Sequence, residues 1–324
     1  MLPLKVIQNR IANAFGSEQF LNEPVKLYEP IIYTLGQSGK RLRPVLVLLS
    51  CDLFGGDIEK AVLPAMGLEI FHNFTLLHDD IMDDAPLRRG KATVHKKWNE
   101  NTAILSGDTM FVLAYEYVAK TAPELLPEVL RLFNDTARKV CEGQQYDMDF
   151  ESQTNVTIND YRMMIQLKTA VLIACSLKLG AIIAQADPVE AEKIYDFGME
   201  LGLAFQLQDD YLDAFGNPSV FGKAVGGDIL ANKKTFLFLK AFEVASPDAL
   251  SHLNNFFNNP NIEASEKIGG VIRLYQKMNV DRYTRQEIDH HFQKASGILD
   301  GLNAAEENKR EIRNLALGMV GRNR

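Results

Sequence analysis

Helical periodicity runs through almost the whole of this sequence and limits what it can fold into. Apolar residues recur at three- and four-residue spacing in 61-AVLPAMGLEIFHNFTLLHDDIM-82, 103-AILSGDTMFVLAYEYVAK-120, 159-NDYRMMIQLKTAVLIACSLKLGAIIA-184 and 190-EAEKIYDFGMELGLAFQLQDDYLDAF-215. Weaker helical patterns cover 7–15, 25–36, 45–54, 124–146, 229–245, 263–278 and 282–318. Strict apolar/polar alternation is scarce, so the reading needs no strands. Breaks fall at short clusters such as Gly55-Gly56-Asp57, Asp187-Pro188 and Asn258-Asn259-Pro260, none of them a long linker. The expectation is one all-α domain, 1–324, a bundle of ten or more helices with site residues on facing helices. A split into two helical domains near 150–158 is the rival.

Composition narrows the function classes. The formal net charge is −7, which argues against a general affinity for nucleic acid, whose phosphates call for a basic surface. Hydrophobic residues at 46% supply a large core and disfavour a disordered chain. The charge-free apolar stretches, 44-PVLVLLSC-51 and 169-TAVLIACSL-177, are shorter than the ~18 residues of a spanning helix, so no transmembrane segment is expected. Cys51, Cys141 and Cys175 lie far apart among apolar residues and read as buried free thiols in a reducing, cytoplasmic compartment.

Two of the long helical segments end in carboxylate clusters. Asp79, Asp80 and Asp83 close the first; Asp209, Asp210 and Asp213 close the second. On a helix, positions i and i+3 or i+4 share a face, so like charges are forced together at about 0.2–0.5 kcal/mol per pair. Pro86 and Pro218 follow closely, which places the carboxylates at helix C-termini, the pole of the helix dipole that disfavours anions. Such a conflict tends to mark a functional site, and a cation at each cluster would resolve it. The bland alternative is a pair of solvated acidic helix ends. An all-oxygen donor set suits a hard cation such as Mg²⁺, which completes its shell with water and substrate phosphate.

Basic residues answer the acidic ones. Lys40, Arg41 and Arg43 precede an apolar run, Arg88-Arg89-Gly90-Lys91 follows the first cluster, and Lys223, Lys233 and Lys234 follow the second. Singly, each reads as a surface charge; together they point to a polyphosphate ligand. Polar residues inside apolar helices, His72, Lys168, Thr169 and Gln206, add candidates, since an unpaired ammonium is costly to bury.

The sequence resembles the trans-isoprenyl diphosphate synthases of the polyprenyl synthetase family. The matching pieces are GKRLRP at 39–44, DDIMD at 79–83, RRGK at 88–91, KT at 168–169, FQLQDDYLD at 205–213, GK at 222–223 and GGDILANKKT at 226–235. The last stretch of about 90 residues carries no such motif. The resemblance implies an isoprenoid-synthase helical bundle around a central cavity, usually a homodimer. It implies that Asp79, Asp83 and Asp209 bind Mg²⁺, three ions with the bound diphosphate, supported by Asp80 and Asp213. It assigns Arg88, Lys168, Lys223 and Lys233 to an allylic prenyl diphosphate, and Lys40, Arg43, His72 and Arg89 to isopentenyl diphosphate. Thr169 and Gln206, with Lys168, would line the reacting centre. In the family, bulk about five residues before the first Asp limits product length; here that residue is Phe74, followed by Thr75, which suggests a C20 product, with C15 next and longer chains as the alternative. Phe74 also reads as an ordinary core aromatic. Outside the class, His78-Asp79 allows a metal-dependent phosphohydrolase, which would need further His ligands and leaves the second Asp cluster unexplained.

Overall fold

A computed structural model describes residues 2–37, 39–216 and 225–321. In chain order its helices are α1 (Leu4–Ser17), α2 (Val25–Leu35), α3 (Leu42–Leu53), α4 (Ile58–Met82), α5 (Val94–Lys97), α6 (Glu100–Val118), α7 (Leu126–Ser152), α8 (Ile158–Ile165), α9 (Val171–Ile183), α10 (Pro188–Phe215), α11 (Gly227–Leu230), α12 (Phe236–Val244), α13 (Pro247–Asn258), α14 (Ala264–Lys277), α15 (Val280–Asp300) and α16 (Glu306–Val320). Among the described residues the fold is all-α apart from one two-residue pair, β1 (Leu87–Arg88) and β2 (Lys91–Ala92), in antiparallel register Leu87 opposite Ala92. That hairpin was not expected from the sequence. Its two turn residues, Arg89 and Gly90, both have positive φ (52° and 76°), the backbone a two-residue hairpin requires.

Local chemistry sets the helix starts. Asp57 caps α4 by accepting from the Glu59 N–H. Thr157 and Asp160 form a reciprocal capping box on α8, and Ser246 caps α13 with Pro247 in its first turn. The pattern over 229–245 is two helices, not one, because the chain turns at Asn232 (φ 55°). The pattern over 282–318 likewise divides after Asp300. Between α8 and α9 the helix widens into a π-turn, Gln166–Ala170. Ile158–Ile183 is long and apolar enough to cross a membrane by length and composition alone, which the shorter charge-free runs did not show. Most of its apolar window, 72%, is buried inside the protein, as in a core helix.

Residues group into two compact units. One comprises Met1–Asn134, Ser176–Glu192 and Asn303–Ile312. Its core includes Ile7, Ile11, Ile31, Leu46, Leu49, Met66, Phe71 and Phe133, all fully buried, with α4 packed on α3 and α6. The other comprises Asp135–Cys175, Lys193–Leu302 and Arg313–Arg324. One of its clusters joins Tyr161, Ile165, Leu207, Leu212, Phe236 and Ile288; a second joins Leu237, Leu253, Val271, Tyr275 and Val280. Cys51 and Cys175 are buried and in no disulfide, but Cys141 is exposed on α7, which corrects the expectation that all three are buried. It lies on a face of an amphipathic helix whose apolar stripe faces elsewhere, which run-length reasoning does not resolve.

Candidate functional site

In the first unit the acidic motif closes α4 as its spacing predicts. Asp79 and Asp80 lie in the last turn and Asp83 is the C-cap, its N–H bonded to the Asp79 carbonyl. The hairpin then folds Arg88 back onto the cluster. Arg88 Nε donates to Asp80 Oδ1 at 2.6 Å, and its NH2 donates to Asp79 Oδ2 at 3.2 Å. Burial raises the Asp80 carboxyl to about 6 despite the opposing Arg88 charge. Asp80 is thus an inward, Arg-held carboxylate, while Asp83 is exposed.

The basic loop feeds α3 through Arg41, whose backbone is left-handed (φ 43°). Arg41 stacks its guanidinium 4.3 Å from the Phe15 ring centroid and donates to the Leu35 carbonyl, so it shapes the loop. Lys40 and Arg89 are exposed and Arg43 is half-buried. Gly39 permits close passage of Arg89: a Cβ there would lie 2.9 Å from Arg89 NH1. Beneath this cluster sits Glu69, 5% exposed, bonded through Oε1 to Asn73 Nδ2 at 3.3 Å. Burial raises the Glu69 carboxyl, and Arg43, Arg89 and Arg41 oppose the rise. Burial first, then Arg43, Arg89 and Arg88, drive His72 well below its ordinary value, so it is neutral at pH 7 and able to donate a hydrogen bond to an anion. The sequence reading passed over Glu69 and Asn73; an acid inside the apolar stripe of α4 was the available signal.

Phe74 stacks on Phe111 with centroids 5.1 Å apart and meets the His78 ring edge-on at 4.8 Å. Phe71, Tyr115 and Phe133 extend this aromatic group. Thr75 Oγ1 donates to the His72 carbonyl. His78 packs against Gly107, where a Cβ would lie 2.3 Å from its Nε2. His78 therefore fills a packing role, not the metal-ligand role of the hydrolase rival.

In the second unit a cavity of about 210 Å³ gathers most of the other candidates. It is lined by Lys168, Thr169, Gln206, Asp209, Asp213 and Lys233, over an apolar wall that includes Phe150, Met164 and Ile165. The π-turn presents Lys168 and Thr169; such turns recur at functional sites. Two glycines permit it. A Cβ on Gly143 of α7 would lie 2.3 Å from the Lys168 nitrogen, and one on Gly202 of α10 would lie 2.5 Å from Ala170 Cα. Lys168 is not an unpaired ammonium: its Nζ bonds Asp147 Oδ2 at 2.6 Å.

Four side chains in the cavity form one hydrogen-bonded chain. Tyr161 OH contacts Asp210 Oδ2 at 2.5 Å, Gln206 Nε2 donates to Asp210 Oδ1 at 2.8 Å, and Thr169 Oγ1 donates to Gln206 Oε1 at 2.9 Å. Burial, then the charge of Asp228, pushes the Asp210 carboxyl well above the usual range. Asp213 Oδ2 accepts from the Asp228 N–H at 3.0 Å, tying α10 to the start of α11. Lys234 turns its ammonium to the carbonyls of Phe150, Glu151 and Gln153 and so closes the C-terminal end of α7. Lys223 lies outside the described residues. Asp147, Tyr161 and Asp228 line the cavity without having been among the predicted site residues, although Asp228 stood in a matching motif.

The donor chemistry suits a divalent cation of the Mg²⁺ type. Asp209, Asp210, Asp213 and Asp228 offer only oxygen. Among the described residues no three His, Cys, Asp or Glu side chains form a ready metal cage.

The polyprenyl synthetase family model matches residues 24–274. The chain belongs to the polyprenyl synthetase family. Among curated members, a short chain isoprenyl diphosphate synthase of Methanothermobacter thermautotrophicus is 37% identical over 285 residues, 87% of this chain and 86% of its own. A geranylgeranyl diphosphate synthase of Saccharolobus solfataricus is 38% identical over 281 residues, 84% and 85% of the two chains. A crystal structure of a geranylgeranyl pyrophosphate synthase superposes with a TM-score of 0.95 at 44% identity and full coverage of both chains. The chain is accordingly a short-chain trans-isoprenyl diphosphate synthase, a prenyltransferase with the all-α fold of that family.

Proposed function

We propose that this polyprenyl synthetase joins isopentenyl diphosphate head-to-tail to allylic diphosphates and stops at a C20 all-trans product, releasing pyrophosphate. The cavity of the second unit carries this reading: carboxylates and lysines surround it, and beyond them lie an apolar wall and the Thr169–Gln206 pair.

Asp79, Asp80 and Asp83, with Asp209 and Asp213, would hold Mg²⁺ together with diphosphate oxygens. Bound Mg²⁺ supplies neutralisation of the charge that develops on the departing pyrophosphate. The chain's own residues do the rest. Lys168 and Lys233 pair with the allylic diphosphate, with Arg88 and Lys223 assigned to the same group by their motifs. As the allylic C–O bond breaks, its electron pair leaves with pyrophosphate and a carbocation remains. Thr169 and Gln206 turn the negative ends of their dipoles to that cation. The apolar wall keeps water from trapping it. Lys40, Arg43, neutral His72 and Arg89 hold isopentenyl diphosphate, whose double bond supplies the electrons of the new C–C bond. The proton lost in forming the new double bond passes to the departed pyrophosphate.

Phe74 supports the chain-length reading: it stands five residues before Asp79, about 7–8 Å along α4, and is braced by Phe111 and Phe71. A homodimer is proposed from α6, which leaves Ile104, Leu105 and Val112 exposed at 41%, 58% and 57%. The compartment proposed is the cytoplasm.

The deciding assay incubates the purified chain with Mg²⁺, isopentenyl diphosphate and each of the C5, C10 and C15 primers, then sizes the dephosphorylated alcohols. A C20 alcohol from all three is expected. Release of inorganic phosphate without chain growth would overturn the reading.

A further inference from the structure

The hydrogen-bonded chain Tyr161–Asp210–Gln206–Thr169 has a direction, and the direction is fixed by chemistry. Gln206 is placed with one amide atom 2.8 Å from Asp210 Oδ1 and the other 2.9 Å from Thr169 Oγ1. A carboxylate oxygen accepts, so the atom facing Asp210 is Nε2 and the atom facing Thr169 is Oε1. Thr169 must then donate to Gln206, and its oxygen lone pairs are what it presents to the cavity. Tyr161 is 1% exposed, and its hydroxyl hydrogen has Asp210 as its acceptor.

We infer that Tyr161 and Asp210 are positioning residues that set the polarity of the Thr169–Gln206 pair, so that the cavity presents oxygen lone pairs to positive charge on the prenyl chain. Neither residue touches the reacting carbon in this role; they act through Gln206. The inference rests on reading the cavity as the place where that cation forms.

The geometry makes a specific demand of isosteric variants. In Asp210→Asn, Tyr161 still needs an acceptor, so the new amide turns its oxygen to Tyr161 and its NH₂ group to Gln206. Gln206 must turn over, donate to Thr169, and release the Thr169 hydroxyl hydrogen toward the cavity. The same atoms then form a chain of opposite polarity. Removing the tyrosine hydroxyl as well lifts the constraint on the introduced amide and lets the original direction return.

The test measures binding, by calorimetry with Mg²⁺ and inorganic pyrophosphate, of a prenyl ammonium analogue and of its uncharged hydrocarbon isostere. Wild type should prefer the ammonium. Asp210→Asn should cut that preference at least tenfold and lower kcat, while KM for isopentenyl diphosphate changes little. Tyr161→Phe alone should cut the preference less, and Tyr161→Phe in the Asp210→Asn background should restore part of it. Gln206→Leu severs the same chain at its middle and should cut the preference too, which covers the case of an unstable Asp210→Asn. An unchanged preference in Asp210→Asn or Gln206→Leu, or additive losses in the double variant, overturns the inference while the wild-type enzyme still makes product. A wild type that makes no prenyl product overturns the underlying reading and the inference together.

Discussion

Lys168 and Asp147 are joined at 2.6 Å, an ion pair between the π-turn and α7 with about a quarter of each side chain exposed. The ammonium proposed to meet an allylic diphosphate therefore waits on a protein carboxylate. Substrate must draw Lys168 from that partner, and release of pyrophosphate returns it.

Replacing Asp147 by Asn removes this competitor. Inorganic pyrophosphate should then inhibit roughly 3- to 10-fold more tightly, the span that about 1 kcal/mol of a partly exposed pair allows. Product-inhibition kinetics read this directly, and weaker inhibition would contradict it.

Gly143→Ala should injure activity more than folding. The added methyl meets the Lys168 backbone nitrogen at 2.3 Å, so the π-turn has to shift. A stability loss of about 1–3 kcal/mol is expected from overpacking, with kcat falling by roughly a hundredfold through misplacement of Thr169. Thermal melting and steady-state rates on the same sample separate the two.

Phe74→Ala should lengthen the product to C25 or beyond, with up to about 3 kcal/mol of stability lost with the ring's contacts to Phe71, Phe111 and His78. Chromatography of the alcohols checks the first effect and calorimetry the second. Unaltered chain length would assign Phe74 to packing alone.

These expectations also mark what was legible in the sequence. The helices ending in Asp79–Asp83 and Asp209–Asp213 could be read because charge, apolar period and proline position coincide within one segment. The partners could not. Asp147 meets Lys168, and Tyr161 meets Asp210, through tertiary packing that no local spacing encodes. The π-turn was hidden for the same reason: its cause lies in Gly143 and Gly202 on other helices, while its own residues continue an apolar helical pattern. Lys234 looked like a ligand among neighbouring lysines, and only the path of α7 shows that it closes a helix end.

Acid and alkali should both act on the C-terminal helices, acid through Glu287 and alkali through His291, which bonds Glu200 at 2.6 Å and sits beside Glu287; Arg162 also holds Glu287. The His291 hydrogen bond, then Arg162, lower Glu287 to about 2, so its contribution is present above pH 4.5 and is lost as pH falls toward 2. Burial lowers His291, but Glu200 and Glu287 outweigh it and raise the group above 6.5. That contribution is present below pH 6.5 and is lost as pH rises through the raised value. His291→Asn should therefore reduce the melting temperature more at pH 6 than at pH 9, and Glu287→Gln should cost less near pH 2 than at pH 5. Scanning calorimetry across pH tests both.

Divalent ion and pyrophosphate should stabilise the protein jointly. Mg²⁺ with inorganic pyrophosphate is expected to raise the melting temperature more than the sum of the two alone, chelation to abolish turnover, and Asp209→Asn to remove the joint effect. Independent, additive shifts would show that the carboxylates do not share an ion with the diphosphate.

The widened turn at Gln166–Ala170 has a last consequence, for how this enzyme tolerates insertions and deletions. A helix gains or loses about 100° of rotation for each residue. Deleting a single residue there would restore an ordinary i to i+4 ladder, yet it would swing Thr169 a quarter-turn or more around the axis and break its bond with Gln206. Residue count, as well as residue type, is what this helix has to preserve.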